Sequence, residues 1–463
     1  MARAKSKAAP TPALLADLNP EQLRAVTHTS GPLLIVAGAG TGKTTVITRR
    51  IGWLITEQGV PTDGILALTF TEKAAMEVEE RVDRLLPYGY VDLWVSTFHG
   101  FCDRILKRHA LDIGIPNDYR LLDTTNAWML LREHLDDLPL DYYRPRGNPT
   151  KFLHALLQHF SRCKDEAITP ADYLAYAKGL QLDADNVGEG FTPSRAGGNE
   201  SRPYDPSEIA RVTEIANTYH AYEQLLLKEG ALDFGDLIVR TRELFSTRPA
   251  ILARYQRQFA HILVDEFQDT NWAQYEIVKM LAAPKNNLAV VGDDDQSIYR
   301  WRGASMSNIL HFKEDFPKAA QVTITTNYRS KQNILDAAYA CIQKNNPERL
   351  EVTLQLSKRL KAAAKGSGTV AVLHAQDARE EARMVVEKIL ALREAAGAKW
   401  SWNEVAILVR ANRQAEQFLP VLDAANIPYI FLASRGLYRK PVILDILDLL
   451  VQHPTLEETD VSA

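Results

Sequence analysis

The sequence predicts an α/β protein built on a parallel sheet, and two observations point to this class. Short apolar runs recur along the chain, and each run ends in polar or glycine-rich residues. Helical patterns separate the runs, as they do where buried parallel strands are joined by crossover helices. Since ligands bind at the carboxyl ends of parallel strands, we expect the functional residues directly after these runs. The runs lie at residues 32–38, 65–70, 93–98, 261–267 and 288–293.

Length and composition indicate an ordinary globular protein with more than one core. The 463 residues fit roughly three domains. Contents of 46% hydrophobic and 24% charged residues exclude the disordered and membrane-spanning classes. The net charge of −4 gives no overall attraction to nucleic acid, so nucleic-acid binding would need a local groove. The three cysteines are widely separated, which argues against disulfides and a zinc site.

Residues 1–17 are predicted to form a disordered basic tail. No apolar stretch follows the basic start, so the segment lacks the middle of a secretory signal. We therefore expect a cytoplasmic protein that does not bind a membrane.

A long helical stretch interrupts the series of strands. The residues between the third and fourth apolar runs are far too many for one crossover. They predict a helical subdomain at 112–223, with a polar loop at 182–206. This subdomain would be inserted into a first α/β domain formed by residues 18–111 and 224–321.

Apolar strand patterns restart later in the chain. They occur at 369–375, 404–410 and 429–433 and predict a second α/β domain over residues 322–449. Residues 450–463 are expected to form a tail, or the start of a second insertion.

A glycine-rich loop follows the first strand and opens a helix. In AGAGTGKTT, residues 37–45, glycines let backbone N–H groups close around phosphates, and the helix N-terminus adds its dipole. Lys43 would reach the β- and γ-phosphates of ATP, and the Thr44 hydroxyl would hold Mg²⁺. The strict pattern has glycine where this chain has Ala37, and the alternative is a turn that only ends a strand. The predicted nucleotide ligands here are Ala39, Gly40, Thr41, Gly42, Lys43, Thr44 and Thr45.

Two acidic residues end the fourth strand, in VDEFQD at residues 264–269. Asp265 can hold Mg²⁺, usually through water, and Glu266 can activate the attacking water as a general base. The alternative is that acidic residues only favour the positive end of a helix. Together with the glycine-rich loop, the pair predicts a site that hydrolyses ATP.

Gln22 has two interpretations. It lies three residues after Asn19, with Pro20 at the first helical position, so it can complete a capping box. Its amide can instead form two hydrogen bonds to an adenine edge. On these residues alone the helix cap is favoured.

The segment GDDDQSIYRWRGA, residues 292–304, joins carboxylates to aromatic and arginine residues. Tyr299, Trp301 and Arg302 are residue types that hold single-stranded nucleic acid, because bases stack on the rings for about 1–3 kcal/mol each. The alternative places Trp301 in the core and the arginines in solvent. Since one segment carries both features, the ATP state could move the strand-binding residues.

A set of segments gives the chain a family resemblance. The segments are LNPEQLRAV, AGAGTGKT, TFTEKAA, STFHGFC, LDFGDL, VDEFQDTNWAQYE, VGDDDQSIYRWRGA and TTNYRS, in this order. As a set they resemble the UvrD/Rep group of superfamily 1 DNA helicases over residues 18–330. The resemblance continues more weakly through WNEVAILVRANRQ to about residue 449.

The resemblance implies tandem RecA-like P-loop domains that form an ATP-driven, 3′-to-5′ DNA translocase and helicase of DNA repair or recombination. ATP and Mg²⁺ would be the cofactors, and single-stranded DNA and its junctions with duplex the partners. Gln22 then corresponds to the reader of adenine, and Tyr328 to the ring stacked on it. Gln296 is similar to the sensor of the γ-phosphate, which makes it a catalytic residue. Arg329 is similar to the arginine finger, although its position also fits a surface arginine.

The resemblance also implies a path for the DNA strand. Thr97 and His99 would lie near the DNA backbone, although His99 is almost as consistent with a structural histidine. The residues similar to the family's strand contacts are Phe70, Thr97, His99, Tyr299, Trp301 and Arg302.

Two features depart from the family pattern. Glu72 stands where the family usually has asparagine, and its carboxylate would repel a phosphate chain. Segments of the TxHxxKGLE and VAxTRA types do not occur, so we expect the N-terminal portion of a helicase, with an incomplete second domain and no unwinding by itself. Two other functions stay open: a motor subunit of a helicase-nuclease, and a non-motor module in which ATP gates attachment to DNA.

Overall fold

The described residues divide into two compact units, with the boundary between residues 368 and 369. The architecture comes from a computed structural model, which describes residues 13–86, 92–188, 205–298 and 307–431. Within these described ranges, no helix is long and apolar enough to cross a membrane.

The first unit is built on a parallel sheet. The strands are β1 Leu33–Ala37, β2 Ile65–Thr69, β3 Trp94–Thr97, β4 Arg120–Leu122, β5 Ala231–Asp233, β6 His261–Val264, β7 Leu288–Gly292, β8 Ala320–Ile324, β9 Thr326–Asn327 and β10 Lys361–Ala362. The main sheet has the order β3-β2-β6-β7-β1-β8, and the other strands form two short parallel pairs. The five apolar runs predicted as strands are confirmed at β1, β2, β3, β6 and β7.

Helices connect the strands and cover the sheet. Several begin at a side-chain cap, such as Asn19, Thr71 and Thr97, whose side-chain oxygens accept a backbone N–H three residues on. The helices of the first unit are α1 Pro20–Val26, α2 Lys43–Thr56, α3 Glu72–Leu85, α4 Phe98–His109, α5 Thr124–Glu133, α6 Leu153–Asp165, α7 Pro170–Gly188, α8 Pro206–Lys228, α9 Phe234–Thr247, α10 Pro249–Gln258, α11 Trp272–Ala282, α12 Ser307–Asp315, α13 Gln332–Ile342 and α14 Leu350–Thr353.

Both faces of the main sheet are buried, as its unbroken apolar runs predict. Every residue of β1, β2, β6 and β7 is buried. Because successive side chains point to opposite faces, Leu34 and Val36 pack into one core and Leu33 and Ile35 into the other. Side chains of α4, α9 and α11 complete the first core, and those of α2 and α3 complete the second.

Strand β8 was not predicted from the sequence. It pairs only with β1 and forms the edge of the sheet. Val322 and Ile324 are buried while the residues between and before them are partly or fully exposed. Its apolar residues alternate with polar ones, so β8 lacks the unbroken apolar run by which the other strands of the main sheet were predicted.

Helices α5 to α8 form a core of their own, in the region predicted as an inserted helical subdomain. Phe160 stacks on Tyr219 and Tyr222, with ring centroids 5.0 and 5.5 Å apart. Helix α7 continues to Gly188, so the loop prediction for 182–206 is wrong at residues 182–188. Residues 189–204 lie outside the described part of the structure.

A buried ion cluster joins these helices to α9. Lys164 is 1% exposed, and its Nζ lies 2.7 Å from carboxylate oxygens of Glu223 and Asp233 and 2.8 Å from one of Asp236. Burial disfavours the charge on Lys164, but the three carboxylates outweigh burial and raise its pKa above the ordinary value. Glu223 also pairs with Arg240 at 2.9 Å, whereas loss of the lysine would remove the ion pairs of Asp233 and Asp236, which is costly for buried carboxylates.

The described part of the second unit, residues 369–431, contains helices and no strand. Its helices are α15 Ala378–Ala396, α16 Asn412–Ala415 and α17 Leu419–Ala424. The strand predictions at 369–375 and 404–410 are therefore wrong, and that at 429–433 lies partly outside the described residues. Val372 and Leu408 are each 91% exposed. Both runs have an apolar pattern typical of a strand, but neither pairs with another strand within the described residues.

Candidate nucleotide-binding and strand-binding site

The glycine-rich loop connects the end of β1 to the start of α2. Gly40 and Gly42 have φ angles of +71° and +86°, a conformation that favours glycine. Gly42 is the N-cap of α2 and provides no side-chain cap, so the backbone N–H groups of the first turn are suited to a phosphate. Ala37 is the last residue of β1 and is buried, so the departure from glycine lies inside the strand.

The Lys43 side chain connects the three predicted catalytic motifs. Its Nζ donates to Glu266 Oε2 at 2.5 Å and to Gln296 Oε1 at 3.0 Å. The contact follows from the strand order, because β6, β7 and β1 are neighbours and their carboxyl ends meet at one edge. The structure therefore brings Lys43, Glu266 and Gln296 together.

Glu266 and Asp265 lie at the end of β6 in a constrained arrangement. Glu266 has a φ of +47°, which is uncommon for a residue with a side chain, and such residues are enriched at functional sites. Its N–H donates to Asp265 Oδ1 at 2.9 Å. Burial and the nearby Glu266 raise the pKa of Asp265 to about 6, although Lys43 opposes this shift. A further positive charge would therefore favour the ionised form of Asp265.

Gln268 links the two acidic motifs and was missed by the sequence reasoning. Its Nε2 donates to Glu266 Oε2 at 2.8 Å, and its Oε1 accepts from the Asp293 N–H at 2.9 Å. A Cβ at Gly292 would lie 2.8 Å from Gln268 Oε1, so this approach depends on glycine. The sequence signal for Gln268 is its place inside VDEFQD, a motif that was interpreted only through its carboxylates Asp265 and Glu266.

The TTNYRS segment is hydrogen-bonded to the glycine-rich loop. The Tyr328 N–H donates to the Gly40 carbonyl at 2.9 Å, and Asn327 Nδ2 donates to the Ala39 carbonyl at 2.6 Å. Asn327 Oδ1 also accepts the Arg329 N–H at 2.9 Å. These bonds fix the backbone that carries the Tyr328 ring, which is 50% exposed, and the exposed Arg329 side chain.

Gln22 completes the predicted capping box and also contacts the glycine-rich loop. Its N–H donates to Asn19 Oδ1 at 2.8 Å, and its Oε1 accepts the Asn19 N–H at 3.1 Å. Its Nε2 donates to the Thr41 carbonyl at 3.0 Å. Asn19 Nδ2 in turn donates to the Tyr328 hydroxyl at 3.0 Å. The helix cap and the residue predicted to stack on adenine are therefore neighbours.

A cavity of about 710 Å³ collects most of the predicted nucleotide residues. Its volume lies in the range of small-molecule sites. Asp265 is not among the described residues that line it, whereas Glu77 and Arg81 of α3, which were not predicted, are. The described lining residues are Asp17, Gln22, Ala39, Gly40, Gly42, Lys43, Thr44, Thr45, Glu77, Arg81, Glu266, Gln296, Tyr328 and Arg329.

Three of the candidate strand contacts lie where β2 and β3 end, away from this cavity. Phe70 directly follows β2, and Thr97 is the last residue of β3 and the N-cap of α4. Thr97 Oγ1 donates to Glu72 Oε1 at 2.6 Å, so the carboxylate that departs from the family pattern has a hydroxyl partner. His99 packs edge-on against Phe234, with ring centroids 5.8 Å apart.

His99 and Phe234 form a partly exposed aromatic pair. Burial lowers the pKa of His99, although Glu72 and Asp233 oppose this, so a neutral imidazole is favoured. A neutral ring would contact DNA by hydrogen bonding or packing, not by charge. Phe234 is exposed and was missed as a candidate, although it belongs to the LDFGDL segment that contributed to the resemblance.

Comparison with known proteins decides the family. A family model described as the UvrD/REP helicase N-terminal domain matches residues 18–317. The chain belongs to the UvrD/REP helicase family. A model of the UvrD-like helicase C-terminal domain matches residues 322–453. Both matches agree with the predicted fold class of RecA-like, parallel-sheet P-loop domains.

The second match corrects one prediction. We expected the C-terminal motifs of the UvrD/REP family to be absent, and the match to residues 322–453 shows that this was wrong. Two short signatures sample few positions, whereas a domain match draws on a pattern along the whole segment.

Curated UvrD/REP relatives include several ATP-dependent DNA helicases named PcrA. That of Leuconostoc citreum is 40% identical over 433 residues, which cover 93% of this chain and 52% of the relative. That of Staphylococcus epidermidis (strain ATCC 12228) is 39% identical over 438 residues, covering 95% and 54%. That of Staphylococcus aureus (strain COL) is 38% identical over the same length, with the same coverage. The chain therefore spans about half the length of these relatives.

The remaining strand-contact predictions of the UvrD/REP resemblance concern Tyr299, Trp301 and Arg302. These residues lie outside the described part of the structure. They begin three positions after Gln296 in the chain, and their assigned roles stay predictions.

Proposed function

We propose that this chain binds ATP with Mg²⁺ and couples ATP hydrolysis to movement along single-stranded DNA. The observation that carries the proposal is the Lys43 contact set, in which the glycine-rich loop, Glu266 and Gln296 meet at the edge of the sheet. Gln296 belongs to the same segment as the aromatic and arginine residues predicted to hold the strand. A nucleotide-dependent shift of Gln296 would therefore be passed directly to the strand-binding residues that follow it in the chain.

Mg²⁺ would be held by the Thr44 hydroxyl and the Asp265 carboxylate. The donor set fits, because both groups are hard oxygen ligands of the kind that Mg²⁺ takes. The raised pKa of Asp265 also fits, since a nearby cation would stabilise its ionised form. When bound, Mg²⁺ would neutralise negative charge on the phosphates.

Lys43 would exchange partners when ATP enters. Its ammonium contacts the Glu266 carboxylate at 2.5 Å in the present arrangement. A triphosphate offers more negative charge than one carboxylate, so Lys43 would turn to the β- and γ-phosphates. Glu266 would then be free to accept a proton from the attacking water. The 2.8 Å hydrogen bond from Gln268 would keep the Glu266 carboxylate in position.

The TTNYRS segment would complete the nucleotide site. Arg329 lines the cavity and would contact the γ-phosphate and stabilise the negative charge of the transition state. The exposed Tyr328 ring would stack on the adenine, and the Gln22 amide would read its edge. Gln22 would have to release the Thr41 carbonyl to do so.

The strand would cross the carboxyl edge beyond β2 and β3. Phe70, Thr97, His99 and the exposed Phe234 lie at that edge and offer stacking and hydrogen-bonding surfaces. Relatives named as ATP-dependent DNA helicases support DNA as the partner. We extend the proposal to 3′-to-5′ polarity, to junctions of single-stranded with duplex DNA, to repair or recombination and to a cytoplasmic location by family resemblance.

The first test is the ATP hydrolysis rate of the 463-residue chain with and without single-stranded DNA, with Lys43→Ala as the blank. Stimulation by DNA that disappears in Lys43→Ala is the expected result. If ATP changes DNA affinity and no hydrolysis occurs, the chain is an ATP-gated binding module and the motor function is wrong. If neither substrate affects the other, coupling within this chain is excluded.

A further inference from the structure

Three consecutive aspartates after β7 surround one buried ammonium group. The Nζ of Lys358 lies 2.5 Å from Asp293 Oδ1 and 2.8 Å from Asp295 Oδ2, and it also contacts Asp294 Oδ1. The Lys358 side chain is 4% exposed. The ammonium therefore occupies the place where a cation would otherwise bind these carboxylates, so the described structure gives no reason to assign a metal ion there.

A second cation completes the cluster from the same part of the chain. Arg349 Nε and Nη2 each donate to Asp295 at 2.7 Å, a bidentate pairing that fixes geometry as well as charge. The Leu350 N–H donates to Asp294 Oδ2 at 2.8 Å. Leu350 thus holds Asp294 and Arg349 holds Asp295, whereas the Asp293 carboxylate depends on Lys358 for its positive partner.

The Asp293 carboxylate also holds the Gln296 side chain. Asp293 Oδ2 accepts from Gln296 Nε2 at 2.7 Å, which directs the amide oxygen of Gln296 to the other side. That oxygen accepts from Lys43 Nζ at 3.0 Å. A continuous chain of contacts therefore runs from Lys358 through Asp293 and Gln296 to the lysine of the phosphate loop.

The charges make this chain sensitive to the loss of Lys358. Burial disfavours the charge on Lys358, but the three aspartates outweigh burial and raise its pKa, so the ammonium stays protonated. Burial also keeps the pKa of Asp294 above its ordinary value, even with Lys358 beside it. Without the ammonium, adjacent buried carboxylates would repel each other or take up protons. Either response would disturb the acceptor that orients Gln296.

We propose that Lys358 is a positioning residue for ATP hydrolysis, which acts through Asp293 to aim the Gln296 amide oxygen into the phosphate site. The inference rests on the proposed ATPase function. Lys358 is not among the described residues that line the nucleotide cavity, and Arg349 does not replace it because Arg349 bonds only Asp295 within the aspartate run, in the described contacts.

The kinetic test compares Lys358→Met and Lys358→Arg with Arg359→Met in the full chain. Arg359 is the adjacent residue, and its exposed side chain pairs with Asp336 away from the cluster. Lys358→Met is expected to lower kcat about 10- to 100-fold with little change in the KM for ATP, because misplacing a reacting group has effects of this size. Lys358→Arg should recover part of the loss, and Arg359→Met should hydrolyse ATP normally. Equal rates for Lys358→Met and the unchanged chain would overturn the proposal.

A double-mutant cycle separates positioning from general structural damage. If Lys358 acts through Gln296, Lys358→Met should have little further effect on kcat in a Gln296→Ala background. Full additivity of the two losses would mean that Lys358 supports the fold by another route, and would overturn the positioning role.

A spectroscopic readout keeps the proposal testable without turnover. The Gln296 side-chain amide resonances, assigned by their absence in Gln296→Ala, should shift or broaden in Lys358→Met and stay in place in Arg359→Met. Unshifted resonances would contradict the positioning role. Absence of hydrolysis by the unchanged chain would instead contradict the proposed function, so the two failures are distinguishable.

Discussion

The backbone N–H of Tyr328 donates a 2.9 Å hydrogen bond to the carbonyl of Gly40. This bond joins the segment that carries Arg329 to the phosphate loop, so the two sides of the nucleotide cavity share one backbone contact. Gly40 is confined at this point, because an added Cβ would lie 2.7 Å from Asn327 Nδ2 and 2.8 Å from Arg329 Cβ.

Gly40→Ala should therefore impair ATP hydrolysis strongly. The substitution introduces both backbone strain at φ +71° and a clash with the TTNYRS segment. Gly59→Ala is the matched control, since Gly59 has a φ of +65° and no atom within 4 Å of its added Cβ. We expect kcat/KM for ATP to fall at least tenfold in Gly40→Ala and to stay near normal in Gly59→Ala. Equal effects would mean that strain alone matters.

Glu72→Gln should strengthen single-strand binding. The substitution removes a carboxylate from the predicted strand edge and keeps an oxygen that can accept from the Thr97 hydroxyl. One fewer like-charge repulsion near a phosphate corresponds to about 1 kcal/mol, or roughly fivefold in Kd at low salt. Glu79→Gln, two turns further along α3, makes the same charge change as a control. A Kd that stays unchanged in Glu72→Gln would place the strand elsewhere.

Lys164→Met should destabilise the chain. Removing the lysine takes away the ion pairs of the Asp233 and Asp236 carboxylates, and breaking such clusters costs about 3–5 kcal/mol in the free energy of unfolding. Urea denaturation measures the loss, with Lys228→Met at the exposed end of α8 as the control. A loss below about 0.5 kcal/mol, as is usual for surface substitutions, would mean that the cluster contributes nothing to stability.

Asp165→Asn should change how stability depends on pH. Burial raises the pKa of Asp165 to about 7, above its ordinary value of 3.8, although a hydrogen bond from Asn271 opposes this. The stability contributed by a raised carboxyl is complete below about pH 4 and is lost as pH rises through 7. The asparagine variant cannot ionise, so its stability relative to the unchanged chain should be higher at pH 8 than at pH 5.

Urea denaturation at the two pH values checks this prediction. Asp118→Asn, at an exposed position, serves as the control and should show the same relative stability at both. An Asp165→Asn variant that behaves like this control would show that Asp165 is ionised throughout the range.

The sequence was informative where local patterns set the structure. Unbroken apolar runs predict the main-sheet strands β1, β2, β3, β6 and β7. The motifs that follow these strands contain Lys43, Glu266 and Gln296. Residues such as Lys164 and Lys358 could not be predicted in the same way. Their roles come from partners distant in the chain, such as Asp293 for Lys358, and no local spacing encodes such contacts.

The edge strand β8 was not predicted, and strands were wrongly predicted in the second unit, for a different reason. β8 pairs with β1 at the sheet edge, and its apolar residues alternate with polar ones instead of forming an unbroken run. Conversely, the runs around Val372 and Leu408 have strand-like patterns without strand pairing in the described residues. Strand prediction from one sequence detects side chains that suit a pleated, half-buried strand, but it does not detect the neighbouring strand with which they must pair.

The most direct test of the central claim is the Kd for single-stranded DNA with and without a non-hydrolysable ATP analogue, in the unchanged chain and in Gln296→Ala. Coupling between two sites is typically worth 5- to 150-fold in affinity. We expect a nucleotide-dependent change of this size in the unchanged chain and its loss in Gln296→Ala, with analogue binding retained. A change of equal size in both proteins would contradict the claim that Gln296 connects the nucleotide to the strand.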